Sequence, residues 1–286
     1  MKNTTSFFKA VLTHFSNSNT FEKGAALAYY TVFSFLPMII IIISLLGLFF
    51  GEDAVSGQLF AQIQGFLGDD GANEIQELLS NQHKKHNNTL TSMIGFATLA
   101  LSATGMFNQI QSSFNAIWRL QPQPKSSILK YIKSHINAFS ILIMVGFILL
   151  LSTTVNSFFY KHSGTMPPNY QNLHIYEHLA SIILIAFIFA IMYKYLGDAK
   201  VPWKTTLVTG VFTSILFFGG KIGIGMYLAH SSISTTFGTA SIIALLMVWV
   251  YYTSQIIFLG ASFAYVHGEE IGLRIEPNDD VIQLEN

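Results

Sequence analysis

One ammonium group, Lys221, stands alone in a long uncharged stretch: no other Asp, Glu, Lys or Arg occurs between Lys204 and Glu269. Charge is costly in hydrocarbon, so an ionisable side chain in such surroundings is a candidate functional group. A lysine here would hold an anionic headgroup or phosphate as a point charge. The competing reading is that its long stem snorkels to the headgroups, and the sequence weights the two equally. Gly219, Gly220, Gly223 and Gly225 surround it. Gly219 and Gly223 form a small-xxx-small pair, as Gly47 and Gly51 do, which reads first as helix packing. The cluster would also let the helix bend beside Lys221. Pro37 removes a helical hydrogen bond and should kink its segment, which makes it a hinge candidate.

Other spacings suggest chemistry less strongly. His174-Ile175-Tyr176-Glu177-His178 fits an H-x-x-E-H zinc pattern. It has no obvious distant acidic ligand, and short motifs often match by chance. A membrane metalloenzyme is the weakest reading, and bound zinc would be its test. His83 and His86 flank Lys84 and Lys85 and read as solvated loop. Cysteine is absent, which excludes disulfides, thiol catalysis and cysteine metal sites. No P-loop, nucleophile elbow or dinucleotide fingerprint occurs. The expectation is a non-enzyme with no metal and no cofactor.

The elements that carry these residues follow from where charge is missing. No Asp, Glu, Lys or Arg lies between Lys23 and Glu52, Lys85 and Arg119, Lys133 and Lys161, or Glu177 and Lys194. Only 10% of the 286 residues are charged and 51% are hydrophobic. Uncharged segments of about 20 apolar residues read as membrane spans. Six are expected, at about Ala25–Phe50, Leu90–Ile110, Ile136–Phe158, Leu179–Leu196, Thr205–Ala229 and Thr239–Val266. Helices are the default, because hydrocarbon leaves no other partner for the backbone. Runs such as Met38–Ile43 lack the alternation of barrel strands. The expected fold is an all-α, polytopic membrane bundle of six transmembrane helices with a short amphipathic helical outer loop. Residues 1–24 form a cytoplasmic segment, 25–266 the membrane domain with its outer loop at 51–89, and 267–286 an acidic cytoplasmic tail.

Positive charge sets the orientation. With the N-terminus inside, eleven of the 15 Lys and Arg fall on the cytoplasmic side, and Lys84, Lys85 and Lys161 fall outside. Both termini are thus expected in the cytoplasm, with no cleaved signal peptide and no lipidation motif. In the outer loop Leu59, Phe60, Ile63, Phe66 and Leu67 recur at helical spacing. A second short helix with Ile75, Leu78 and Leu79 follows the break at Gly68–Gly71. These helices either lie on the membrane or cap the bundle. The second span continues into Asn108, Gln109, Gln111, Ser112, Ser113 and Asn115. Beyond Gln111 a solvated helical extension is expected, with a wet-cavity lining as the other reading. No residue-level repeat relates the two halves. Net charge is zero, so no basic field attracts nucleic acid, and Lys125, Lys130 and Lys133 suit anionic lipid and topology.

Residues 26–37, read as Ala26-Leu27-Ala28-Tyr29-Tyr30-Thr31-Val32-Phe33-Ser34-Phe35-Leu36-Pro37, resemble the opening span of the YihY/BrkB family of bacterial inner-membrane proteins. Asn115-Ala116-Ile117-Trp118 is similar to its N-x-I-W signature. Tyr193-Lys194-Tyr195-Leu196 and Val201-Pro202-Trp203 are similar to its fourth inner loop. Met247–Tyr252 and Leu259-Gly260-Ala261 resemble its last span. The resemblance makes Lys221 and Tyr227 the matches of a lysine and a tyrosine in the fifth span, and places Phe237-Gly238 where Tyr-Gly is usual. Ser262 stands where the family usually has Glu, and Leu196-Gly197 where Leu-Pro is usual, so a role for that glutamate does not transfer.

The resemblance implies a bacterial inner-membrane protein concerned with the envelope. With the bundle and Lys221, the expectation is a non-ATPase transporter or exporter of an amphipathic anionic substrate such as a lipid. Its candidate contacts are Lys221, Tyr227 and Gly238, and its hinge or packing candidates are Pro37, Gly219, Gly220 and Gly223. The alternative is a non-transporting scaffold or assembly partner that recruits through the outer loop or acidic tail. Expected partners are membrane lipids and envelope proteins, not nucleic acid. The sequence assigns no oligomeric state.

Overall fold

A computed structural model describes residues 4–34, 105–122, 173–230, 241–278 and 281–284, with scattered helical residues between 53 and 77. Expectations that rest on Pro37, on Gly238 and on the third span lie outside the described residues. The described part is mainly helical. Helix α1 is Thr4–Asn17, α2 covers 20–34 and α3 covers 105–117. Helix α4 is Leu173–Tyr195, α5 is Trp203–His230 and α6 is Ser241–Glu270.

These last three helices hold 23, 28 and 30 residues, or about 35, 42 and 45 Å at 1.5 Å per residue. Each exceeds the hydrocarbon thickness of about 30 Å. Two of them carry segments apolar and long enough to cross a membrane, Trp203–Gly223 and Ile243–Glu270. Their outward faces are apolar too: Ile183 is 68% exposed and Ile215 60% exposed, with Phe187, Val211, Ile222 and Ile243 also open. Contiguous exposed apolar surface of this kind suits lipid and not water.

The inner face of α5 is small or hydroxylated. A side chain on Gly210 of α5 would collide with the Ala186 carbonyl and crowd Ala190 of α4. Gly210 against Ala186 and Ala190 is therefore the close backbone crossing between these helices. Thr206, Thr209, Thr213 and Ser214 are fully buried on α5. The Tyr193 hydroxyl donates to the Ile257 carbonyl of α6 at 2.8 Å and lies 3.1 Å from the Thr213 hydroxyl. Hydroxyls that bond across helices in this way act as glue where no hydrophobic difference between lipid and side chain drives association.

The fold is not purely helical. Strand β1 (Leu120–Pro122) follows α3, and β2 (Ala199–Lys200) joins α4 to α5. Strands β3 (Glu276–Pro277) and β4 (Val281–Gln283) follow α6. β1 pairs antiparallel with β4, and β2 with β3. The residues after α6 thus fold back over two connections instead of trailing as a free tail. Charge-free stretches reveal helices, but strands of two or three residues have no periodicity for a sequence to display.

Turn chemistry aims the elements. Asn19 adopts φ 51° between α1 and α2, a left-handed conformation asparagine tolerates. The Thr20 hydroxyl donates to the Phe15 carbonyl across this corner. Arg119 after α3 has φ 57°, which costs on the order of 1–3 kcal/mol for a non-glycine residue. It is held by its own N–H to Ala116 and by the Leu284 N–H donating to its carbonyl at 2.8 Å.

Candidate functional site

Two places collect the residues that could matter. The first is the end of the bundle where α3, the α4–α5 connection, α1 and the folded-back strands meet. Arg119, Lys194, Lys200, Lys204 and Arg274 belong to the elements here, interspersed with Asp198, Glu269, Glu270 and Glu276; for its cluster of Lys and Arg it is called the basic end. Its centre is Trp118, wholly buried with Phe114, Ile117, Tyr193 and Phe258. The indole N–H donates to the Ala261 carbonyl of α6 at 3.1 Å. Its ring lies so near the backbone of Gly197 that a methyl group there would overlap it. Glycine at 197 is therefore a matter of space for Trp118, since Gly197 has no positive φ.

A polar knot lies beside the tryptophan. The Asp198 carboxylate accepts from the Gln111 side chain at 2.9 Å and from the Asn115 side chain at 2.8 Å. The Asn115 oxygen in turn accepts from the Asp198 backbone N–H at 2.9 Å, and the Asn278 N–H donates to the Asp198 carbonyl. Asn115 thus uses both ends of its amide, and one aspartate links α3, the α4–α5 connection and the segment after α6. This corrects the expectation of a solvated extension beyond Gln111. Ser113 and Asn115 are buried and Phe114 is fully enclosed, because partners come from within the protein: Asp198 for Asn115, and the Gln109 carbonyl for the Ser113 hydroxyl. Polar composition marks a need for hydrogen bonds, which water or a neighbouring element can meet.

Three cations at this end, Lys194, Arg119 and Arg274, are engaged by the protein itself. Lys194 donates to the Val201 carbonyl and lies 5.7 Å from the Trp203 ring centre. Arg119 lies 6.0 Å over Tyr265. His14 of α1 stacks on the same tyrosine, at 4.4 Å between ring centres, with Nε2 2.8 Å from the Ile117 carbonyl. In the neutral ring that nitrogen must carry the proton and donate. Burial lowers the His14 pKa from its ordinary value of 6.5; the bond to Ile117 opposes this and Arg119 adds to it. The folded state therefore prefers neutral His14. Its stabilising effect is present above pH about 6.5 and is lost as pH falls from there through the lowered folded value. Docking of α1 is expected to weaken as pH falls below about 6.5, and His14→Gln, which keeps a donor without titrating, should flatten the profile. Hydrogen exchange of α1 amides against pH is the measurement.

The second place surrounds Lys221. The structure puts it on α5, exposed, with Ile222 and Gly223 exposed after it. It lies seventeen residues beyond Lys204 on one unbroken helix, about 26 Å along the axis. The neighbouring glycines divide into two kinds. Gly220 faces α6, where an added side chain would overlap the Tyr252 hydroxyl. Gly219 and Gly223 meet no described atom within 4 Å. Among the described residues, then, Gly220 is the one of the three that packs on a neighbouring helix, and Gly219 and Gly223 form a strip of exposed backbone beside Lys221. Tyr227 falls in the last turns of α5, with its side chain outside the described residues. Lys221 and Tyr227 are thus on one helix, and neither belongs to the basic-end cluster.

Sequence reasoning alone did not single out Asp198 or His14. The signal for Asp198 was its isolation as the one acidic residue between Glu177 and Glu269, beside a turn glycine. Ser262 is fully buried on α6, and its hydroxyl has no hydrogen-bond partner among the described residues. A carboxylate at that depth would need a cation or a proton, and serine removes that demand. Among the described residues no group of three His, Asp or Glu side chains is placed to hold a metal ion. The side chains of His174, Glu177 and His178 lie outside that description.

Comparison with known sequences gives a consistent result. Residues 11–281 match the family described as Virulence factor BrkB. A UPF0761 membrane protein of Saccharophagus degradans is 27% identical over 263 residues, covering 90% of this chain and 58% of that protein. One from Kangiella koreensis is 26% identical, covering 91% of this chain and 63% of its own length. One from Psychromonas ingrahamii is 27% identical, covering 82% and 78%. The chain therefore spans about three fifths of the length of the first two relatives. No solved structure matches it.

Proposed function

This chain belongs to the BrkB family of membrane proteins, and from that premise we propose that it moves an amphipathic, anionic envelope substrate such as a lipid across the bacterial inner membrane without hydrolysing ATP. In this reading six spans cross the bilayer, and both ends of the sequence given lie in the cytoplasm with the basic end of the bundle. The observation that carries the proposal is Lys221: an exposed cation far along a membrane-length helix, beside a strip of backbone at Gly219 and Gly223 that no described atom approaches within 4 Å. Such a strip admits an acyl chain close to the helix axis, while the ammonium group attracts a phosphate-bearing head. Tyr227 and Gly238 are assigned to the same path by family resemblance.

The alternative, a scaffold in envelope assembly, would recruit through the outer loop or the tail. β3 and β4 already engage their own connections, which weakens the tail as a recruiting surface.

Lipid mass spectrometry on the purified protein distinguishes the two. A hydrogen bond to a charged group contributes about 1.5–3 kcal/mol, so Lys221→Ala should lower co-purification of a specific anionic lipid about tenfold or more. Lys221→Arg should retain most of it. An identical lipid mixture on wild type and Lys221→Ala, with unchanged envelope composition in cells, would remove Lys221 from the mechanism and favour the scaffold.

A further inference from the structure

The N-terminal helix has two apolar faces, and the bundle covers only one. On the inner face Phe7, Val11 and His14 pack on α6: the Phe7 ring is 5.4 Å from Phe263 and 6.4 Å from His267, and His14 stacks on Tyr265 at 4.4 Å. Val11 between them is buried. The outer face carries Phe8 and Leu12, 44% and 57% exposed. With Thr5, Lys9 and Thr13 they line a shallow hollow of about 500 Å³.

The contacts also fix how α1 runs. From Phe7 to His14 the helix advances by about 10 Å. Yet Phe7 sits between residues 263 and 267 of α6 and His14 sits on residue 265, so the contact makes no net progress along α6. α1 therefore crosses α6 at a steep angle. A helix that crosses a membrane-spanning helix steeply lies along the membrane surface.

Its depth is marked independently. Tyr195 and Trp203, both exposed, meet at 6.1 Å at the junction of α4 and α5. Exposed aromatic residues at helix ends collect at the headgroup level. Phe8 lies 6.5 Å from Phe212 of α5, so the outer face of α1 continues the lipid-facing surface formed by Leu207, Val208 and Val211. α1 contains no Asp or Glu, and Lys9 is the cation of its outer face.

We propose that α1 is an in-plane anchor, with Phe8 and Leu12 seated in the headgroup–acyl boundary of an anionic leaflet and Lys9 among the phosphates. The occupant of the outer face is the protein's own bilayer. This assignment stands apart from transport at Lys221, since it rests on the opposite end of α5. An amphipathic helix in this position buries its apolar face about 5–10 Å into the boundary. It holds the basic end level with the membrane surface and fixes the tilt of α6 through Phe7 and His14.

The absence of cysteine makes the test direct. Single-cysteine variants Phe8→Cys, Leu12→Cys and Ser6→Cys of the full chain are spin-labelled in vesicles of phosphatidylethanolamine and phosphatidylglycerol. Relaxation by dissolved oxygen is compared with relaxation by a water-soluble nickel chelate. The expected result is oxygen-dominated relaxation at 8 and 12, corresponding to a depth of about 5–10 Å, and nickel-dominated relaxation at 6. Nickel access at 8 and 12 equal to that at 6 would overturn the proposal by showing a face in water. Protection of 8 and 12 from both agents would overturn it by assigning the face to another protein or a second copy.

Discussion

Trp118→Ala is expected to cost about 3–5 kcal/mol of stability, the usual range for deleting a large buried aromatic ring. Two contributions add. The ring fills the space between Gly197, Phe114 and the α6 backbone, with its centre 5.1 Å from that of Phe114. Its N–H also ties α3 to the Ala261 carbonyl. Trp118→Phe keeps much of the volume and loses that bond, for an expected cost of about 1–2 kcal/mol. Denaturation of the purified protein in mixed detergent, followed by helix circular dichroism, measures both. Equal losses in the two variants would show that the hydrogen bond, and not packing, holds this end together.

Asp198→Ala is expected to cost about 2–4 kcal/mol. Hydrogen bonds to a charged acceptor contribute about 1.5–3 kcal/mol each, and the half-buried position reduces the sum of two. The loss falls on Gln111 and Asn115, whose side-chain donors would be left without their acceptor in the interior. Asp198→Asn should fall between, because one amide oxygen replaces two carboxylate oxygens. A double-mutant cycle with Asn115→Ala should return a coupling of about 1–2 kcal/mol, as expected for residues in one network. Additive effects would mean that the two residues act separately.

Both predictions concern residues from stretches the sequence presents as unrelated. Asn115 and Trp118 follow the second apolar stretch, Tyr193 and Gly197 lie at the end of the fourth, and Gly260 and Ala261 lie within the sixth. These are the segments that carry the family resemblance. The structure brings them together as one interlocked joint: the Trp118 ring on Gly197, its N–H on Ala261, the Tyr193 hydroxyl over Gly260, and Asn115 on Asp198. These side chains mainly satisfy one another. The candidate substrate contact, Lys221, lies well along α5 from this joint.

The apolar helices were legible in the residues. The stretches expected at 179–196, 205–229 and 239–266 correspond to helices Leu173–Tyr195, Trp203–His230 and Ser241–Glu270. Helix 105–117 reaches the residue before Trp118, as the second stretch and its polar extension suggested. Such segments announce themselves because a bilayer imposes a length and a penalty on charge, and both are local properties of the chain.

What the sequence by itself determined is therefore a membrane chain of long helices, its family, and the isolation of Lys221. Tertiary structure decided what the polar residues between the helices do. Gln111 and Asn115 read as water-facing until Asp198, more than 80 residues away, is seen to accept from them. The acidic segment after α6 reads as a free tail until its short strands meet β1 and β2. Gly219, Gly220 and Gly223 read alike as packing candidates, and among the described residues it is Gly220, with Gly210, that meets a neighbouring helix. The physical reason is common to all three. Hydrophobicity and charge are summed along a segment, whereas a hydrogen bond or a close backbone crossing depends on a partner whose position only the packed bundle supplies.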